Sequence, residues 1–113
     1  MGLTLRRKLQ SDLEILLAHL LKWAYQSAKQ SASWEASIDE HRERVKELLQ
    51  DNPSLANYLE ERFRRAYGYA RRRAAKDMKL RRERWKMLPG ECPWHLEQAL
   101  DPEFYPPSLG DLG

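Results

Sequence analysis

The chain has 113 residues, of which 42% are hydrophobic and 33% charged, and its formal net charge is +3. This composition is typical of one globular, helix-rich domain and excludes an intrinsically disordered chain. The single cysteine, Cys92, excludes an internal disulfide. Charged residues interrupt the apolar run near the N-terminus, which argues against a signal peptide and a membrane span. We therefore expect a soluble, cytoplasmic protein without membrane contact, made of one domain over residues 1–113.

Apolar residues recur every three or four positions through most of the chain, which predicts three main helices. They are expected over residues 3–28, 33–50 and 53–79. The inner side of the third helix begins with leucines and continues with alanines, so neighbouring backbone should approach it closely. The residues of that side are Leu55, Leu59, Phe63, Ala66, Ala70 and Ala74.

Two local signals set the helix boundaries. Ser33 is expected to cap the second helix, because a serine hydroxyl accepts a hydrogen bond from a free N–H of the first turn. Pro53 is expected to open the third helix with Asn52 as its cap, because proline suits the first helical position.

The last part of the chain, residues 88–113, is rich in proline and should form a tail that wraps the helices. One short turn is expected between Trp94 and Leu100. The predicted fold class is therefore all-α, a small bundle of three main helices with a proline-rich C-terminal tail packed on it. The side chains expected to hold the tail on the bundle are Trp94, Leu96, Leu100, Phe104 and Tyr105.

Positive charge is concentrated in residues 62–86, which hold twelve Lys or Arg against two acids, Asp77 and Glu83. The residues before this segment carry more acids than bases, and the 27 residues after it carry five acids and no base. Such a field attracts polyanions, because basic side chains that neutralise phosphates release counterions. An acidic protein would be attracted in the same way.

Helical spacing brings many of these basic residues to one face. Arg62, Arg65, Tyr69, Arg72, Lys76 and Lys79 share that face, and Arg64, Arg71 and Arg82 lie alongside it. A tyrosine among guanidinium groups suits phosphate contact combined with stacking on an unpaired base. The alternative is a solvated face whose arginines pair with the acidic second helix and the acidic tail. The residues expected to contact nucleic acid or an acidic partner are Arg65, Tyr69, Arg72, Arg73, Lys76, Arg81 and Arg82.

Other chemistry finds little support in the sequence. A metal site formed by His19, His41, Cys92 and His95 is conceivable, but their spacing matches no common zinc pattern. Alternatively, His19 and His41 are hydrogen-bonded histidines at a helix interface. Neither a nucleophile elbow nor a glycine-rich phosphate loop occurs. We therefore expect no enzyme activity and no cofactor.

Short motifs along nearly the whole chain occur in an order that resembles a known bacterial family. They are HLLKW followed by a tyrosine, a tryptophan that opens the next helix, D-x-P-S-L, Y-x-x-A-R-x-x-A, P-x-x-C-P and D-P-x-F. Here these motifs lie at His19–Tyr25, Trp34, Asp51–Leu55, Tyr67–Ala74, Pro89–Pro93 and Asp101–Phe104. The chain resembles the helical proteins of domain of unknown function family 29, which are abundant in cyanobacteria. The resemblance implies an all-helical fold and no established activity.

Two features depart from the family pattern. Relatives usually carry a further helical segment before the position of Gly2, and their glycine-containing turn after the alanine-rich segment is replaced here by KDMKLRRERWK. Without the leading segment part of the first helix should be uncovered, so we expect a homo-oligomer or cover from another polypeptide. The predicted function is a nucleic-acid-binding module that uses its basic third helix. The alternative is a protein–protein adaptor or antitoxin-like partner without nucleic-acid contact.

Overall fold

A computed structural model describes residues 2–113 and shows an all-α protein, with no strand in that range. Three long helices, α1 (Leu3–Tyr25), α2 (Ala32–Asp51) and α3 (Leu59–Asp77), form a bundle. A short helix, α4 (Leu96–Leu100), lies in the tail. Three 3₁₀ segments link these helices, at Ser27–Lys29, Pro53–Tyr58 and Arg82–Met87.

The helix boundaries differ from the predicted ones where the chain turns. The first helix ends at Tyr25 rather than residue 28, because residues 27–29 tighten into a 3₁₀ turn. The cap of α2 is Ser31, not Ser33, since the hydroxyl of Ser31 accepts a hydrogen bond of 3.2 Å from the backbone N–H of Trp34. An extended backbone at Ser31 places the cap two residues earlier than expected.

The predicted cap of the third helix is also wrong in its detail. The amide of Asn52 donates backward to the carbonyl of Leu48 at 3.2 Å, so its side chain closes α2 instead of capping the next helix. Pro53 does occupy the first helical position, as predicted, but it opens a 3₁₀ turn. The α-helical hydrogen bonding of α3 begins only at Leu59.

Polar contacts at both ends show that α1 and α3 run in parallel. Near their beginnings, Nη1 of Arg62 donates to Oε1 of Gln10 at 2.9 Å. Near their ends, Nζ of Lys22 lies 3.0 Å from Oδ2 of Asp77. Lys22 is only 8% exposed, whereas the side chain of Asp77 is 42% exposed, so the lysine end of this ion pair is shielded from solvent and the carboxylate end is not.

The second helix runs antiparallel to α1. Asp12, early in α1, lies 3.9 Å from Arg44, late in α2. At the other end, the amine of Lys22 lies 5.3 Å above the ring of Trp34, in the first turn of α2. Lys22 of the HLLKW motif therefore contacts both other long helices. It forms an ion pair with α3 and a cation–π contact with α2.

The core lies where the leucines of α1 meet the alanines of α3, which is the most extensive helix pairing in the bundle. The predicted inner side of α3 is confirmed, because Ala66, Ala70 and Ala74 are fully buried. Small side chains let the two backbones approach closely, and the larger leucines of α1 fill the space around them. The leucines of α1 with no exposed surface are Leu9, Leu13, Leu16, Leu17, Leu20 and Leu21.

This burial corrects the expectation that part of the first helix is uncovered. From Leu9 to Leu21 the leucines of α1 are covered by the chain's own elements. Among the large apolar residues of α1, only Leu3 at its first position is exposed, at 51%. The physical argument for a partner on this face therefore fails.

The tail wraps the bundle as predicted. Backbone hydrogen bonds of 2.9 Å join Leu109 to the carbonyl of Ala24 and Leu112 to that of Tyr25. The guanidinium of Arg42, almost fully buried, donates to the tail carbonyls of Ala99 at 2.8 Å and Phe104 at 2.7 Å. A buried arginine thus holds the tail, because its fixed donors satisfy carbonyls that would otherwise lack partners.

Within residues 2–113, no helix combines the length and the apolar character that crossing a membrane requires.

Ala70→Leu should destabilise the protein, because the added side chain would be forced between α1 and α3 where Ala70 has no exposed surface. The expected loss in unfolding free energy is about 1–3 kcal/mol by urea denaturation. Ala36→Leu, at an exposed position of α2, is the matched control and should change stability far less. Equal losses of unfolding free energy in both variants would contradict the close approach of α1 and α3.

Candidate nucleic-acid interface

All seven residues predicted to contact a polyanion are exposed, and we call them the basic strip. Five of them lie on α3 and fall within about 100° of one another around the helix axis at 3.6 residues per turn. They extend over about 16 Å of the axis at 1.5 Å per residue. The other two follow α3 and begin the next segment. The basic strip consists of Arg65, Tyr69, Arg72, Arg73, Lys76, Arg81 and Arg82.

No residue of the basic strip forms an ion pair with an acidic side chain of residues 2–113. The ion pairs in that range join Lys22 to Asp77, Arg44 to Asp12 and Glu40, and Arg62 to Glu61. The acids of the tail form none with the strip, nor do those of α2. The positive charge of the strip is therefore not neutralised by the two acidic parts of the chain.

Tyr69 stands among the arginines with 52% of its surface exposed. The guanidinium carbon of Arg72 lies 5.4 Å from the centre of its ring. Beside this contact, about half of the Tyr69 surface stays open to solvent. An exposed aromatic ring flanked by cations is suited to stacking with another planar group.

Two arginines predicted to share or flank this face have structural roles instead. Arg62 is only 7% exposed and donates to Gln10 of α1. Arg71 donates to the carbonyls of Trp85 at 3.1 Å and Leu88 at 2.9 Å. It thereby fastens the segment that follows α3 to the helix itself. The sequence pattern missed both roles because their partners are distant along the chain.

The turn after α3 is a Schellman motif centred on Lys79. The backbone N–H of Leu80 donates to the carbonyl of Ala75 at 3.0 Å, and that of Lys79 donates to Lys76 at 3.0 Å. Lys79 has φ of 58°, the left-handed conformation in which glycine is preferred. The position that glycine usually occupies in this turn is therefore held by a charged lysine.

The segment after this turn holds the last part of the basic strip in place. The indole N–H of Trp85 donates to the carbonyl of Leu80 at 3.0 Å. The guanidinium carbon of Arg82 lies 4.6 Å from the centre of the Trp85 ring. Arg82 is consequently positioned by stacking, while its side chain stays exposed.

The four residues considered for a metal site do not form one cluster. Nδ1 of His19 donates to the carbonyl of Ile15 at 2.8 Å, and Nδ1 of His41 donates to Ser37 at 2.7 Å. Both histidines thus hydrogen-bond within their own helices, as the alternative interpretation expected. Within residues 2–113 no three His, Cys, Asp or Glu side chains are placed to hold a metal ion.

A half-open cleft of about 470 Å³ lies beside the basic strip, between α3 and the tail, and sequence reasoning did not find it. Cys92 and His95 line it, and burial raises the pKa of the Cys92 thiol. The cleft forms only when the tail folds back on α3, so no local pattern signals it. Its α3 wall is Glu60, Phe63, Arg64, Tyr67 and Gly68, and its tail wall includes Gly90, Glu91, Trp94, Leu96 and Glu97.

The fold is thus a small all-α bundle with an exposed basic strip and an adjoining cleft. The family model described as "Domain of unknown function DUF29" matches residues 1–105, and the chain belongs to this family. Comparison with curated proteins and comparison with solved structures each gave no match.

Lys79→Gly should raise the unfolding free energy by about 0.5–1 kcal/mol, because glycine adopts the left-handed conformation without strain. Urea denaturation measures the change. Lys76→Gly, the same substitution within the last turn of α3, should instead lower stability by about 1 kcal/mol. A loss of stability in both variants would show that Lys79 is not strained.

His19→Gln should weaken the acid sensitivity of the fold. Burial lowers the pKa of His19 from 6.5, with a smaller contribution from the nearby charge of Lys22, while its hydrogen bond to Ile15 acts in the opposite direction. The unfolded state therefore binds more protons, and stability falls as the pH falls through 6.5. Urea denaturation across this range should show a shallower fall for the variant. An identical slope in both proteins would contradict this account.

Proposed function

We propose that the protein is a non-enzymatic nucleic-acid-binding module that binds single strands along the basic strip. The observation that carries this proposal is the exposure of the whole strip without an internal acidic partner. Four like charges on one side of α3 repel one another, two more follow in the next segment, and phosphates relieve that repulsion.

Tyr69 favours a single strand over a duplex as the ligand. In a duplex the faces of the bases are stacked on one another, so a protruding ring has no base face to contact. In a single strand a base can stack on Tyr69 while neighbouring phosphates contact Arg72 and Arg73. An acidic polypeptide offers charges but no planar bases, so it makes no comparable use of the ring.

The adaptor or antitoxin-like function expected as the alternative loses one of its two physical supports. It rested on an uncovered apolar face of α1 and on the charge-divided surface, and the leucines of that face are buried within the chain. The basic strip, by contrast, carries six exposed cations that form no ion pair within residues 2–113. We therefore place binding on α3 and the turn that follows it.

Single-stranded RNA and DNA should bind with strong salt dependence. If all six cations of the strip neutralise phosphates, the logarithm of the affinity should fall with the logarithm of salt concentration with a slope of about −4. Replacing Arg72, Arg73 and Lys76 together by alanine should reduce the slope to about −2. Fluorescence anisotropy with labelled 12-nucleotide strands at several salt concentrations measures both values.

The matched control removes the same charge elsewhere, by replacing the exposed residues Arg7, Lys29 and Lys46 with alanine. It should leave the slope close to that of the wild type. Weak binding that is independent of salt, or equal slopes in the two triple variants, would overturn the proposal.

Tyr69→Ala separates stacking from charge. Loss of one base–aromatic contact should weaken binding by about 1–3 kcal/mol without changing the salt slope, whereas Tyr69→Phe should retain most of the affinity. Polyglutamate is the competitor that tests the other partner class. If it binds as tightly as RNA and Tyr69→Ala has no effect, the strip recognises acidic proteins instead.

A further inference from the structure

Two glycines face the cleft although neither the backbone nor the packing requires glycine there. Gly68 lies in the middle of α3, where glycine is less favourable than alanine. Neither Gly68 nor Gly90 has a positive φ. A Cβ added at either position would meet no atom within 4 Å. The fold therefore leaves these two backbone segments bare without gaining stability from it.

Both bare segments border the same cleft, one on each wall. A missing side chain lets a flat ligand lie directly against the backbone. The volume of about 470 Å³ is within the range of small-molecule sites. The two glycines are thus explained if a planar group enters between α3 and the tail.

The chemistry of the cleft favours a planar group that donates hydrogen bonds. Its most buried lining residues are the aromatic Phe63, Tyr67 and Trp94, each less than 10% exposed. The hydroxyl of Tyr67 already donates to the carbonyl of Pro89 at 2.6 Å. The acceptors left at the rim are three exposed carboxylates that form no ion pair within residues 2–113, those of Glu60, Glu91 and Glu97.

These carboxylates also decide which part of a nucleic acid can enter. They outnumber the one arginine that lines the cleft, Arg64, so the cleft repels phosphates and the backbone of a bound strand stays outside. They accept hydrogen bonds from base N–H groups, so a base is attracted. Phosphate binding and base binding are therefore separated between the strip and the cleft.

The strip and the cleft are adjacent along α3. Gly68 lines the cleft, and Arg72 of the strip follows it one turn later, about 40° away around the helix axis. Residues four apart on a helix lie only about 6 Å from each other along its axis. A strand whose phosphates contact the strip consequently has a base within reach of the cleft.

We infer that the cleft holds one unstacked guanine base of a single strand bound along the basic strip, an inference that rests on the proposed function. Guanine presents two N–H donors side by side, which match the two oxygens of one carboxylate. Cytosine offers one amino group to such an acceptor. Uracil has no amino group, and its two carbonyl oxygens face the carboxylates unfavourably.

The test compares two labelled strands with the full chain, a 12-nucleotide oligouridine and the same strand with one central guanosine. The same comparison is made with DNA versions of both strands. We expect the strand with guanosine to bind on the order of ten-fold more tightly in fluorescence anisotropy. Equal affinities for the two strands would overturn the inference.

Gly68→Gln fills the cleft with a side chain that favours helix. It should abolish the preference for guanosine, keep the affinity for oligouridine and raise resistance to urea. Ala36→Gln, which adds the same side chain at an exposed position of α2, should retain the preference. A preference that survives Gly68→Gln would overturn the inference even if the protein becomes more stable.

The triple variant Glu60→Gln, Glu91→Gln and Glu97→Gln separates charge from shape. It should lose the guanosine preference and bind oligouridine more tightly, because the repulsion of phosphates is removed. A retained preference would contradict the role of the carboxylates. If instead the wild type binds neither strand in a salt-dependent way, the proposed function fails and the inference with it.

Discussion

The close packing of α1 against the alanine side of α3 is the contact on which the other features depend. Three fully buried alanines, Ala66, Ala70 and Ala74, bring the two helices together, and the leucines of α1 surround the line of contact. Close-packed interiors tolerate little change in volume, so this contact fixes both the separation and the rotation of α3. With its alanine side turned inward, α3 directs the adjoining, arginine-rich side outward. The exposure of the basic strip is thus a consequence of core packing.

Buried polar groups at the two ends of the α1–α3 contact fix the register of the helices. Lys22 reaches Asp77 at one end, and Arg62 reaches Gln10 at the other. A charge taken out of water must keep its partner, because an isolated buried charge is costly. A shift of α3 along α1 would break both contacts at once. The lysine of the HLLKW motif therefore acts in the fold, and its contact with Trp34 connects it to α2 as well.

Neighbouring arginines of α3 have opposite roles because successive residues of a helix point about 100° apart. Arg71 turns toward the segment after the helix and donates to its carbonyls. Arg72 and Arg73 turn to the other side and are exposed. Of these three consecutive arginines, one therefore stabilises the fold and two contribute to the exposed surface. The cleft arises from the same arrangement, since the segment held by Arg71 leads directly into the tail wall.

The sequence by itself determined the all-α class, the three long helices, the alanine side of α3 and the wrapping tail, because these follow from periodicity and proline content. It also identified the seven residues of the basic strip, since helical spacing alone brings five of them to one side. It did not reveal the caps at Ser31 and Asn52, the left-handed turn at Lys79 or the burial of Arg62, because each depends on contacts or backbone angles that residue type does not set. Only the tertiary structure decided that the acidic segments leave the strip exposed and that a cleft opens beside it. Both depend on where the tail crosses α3, which is fixed by hydrogen bonds between residues far apart in the chain.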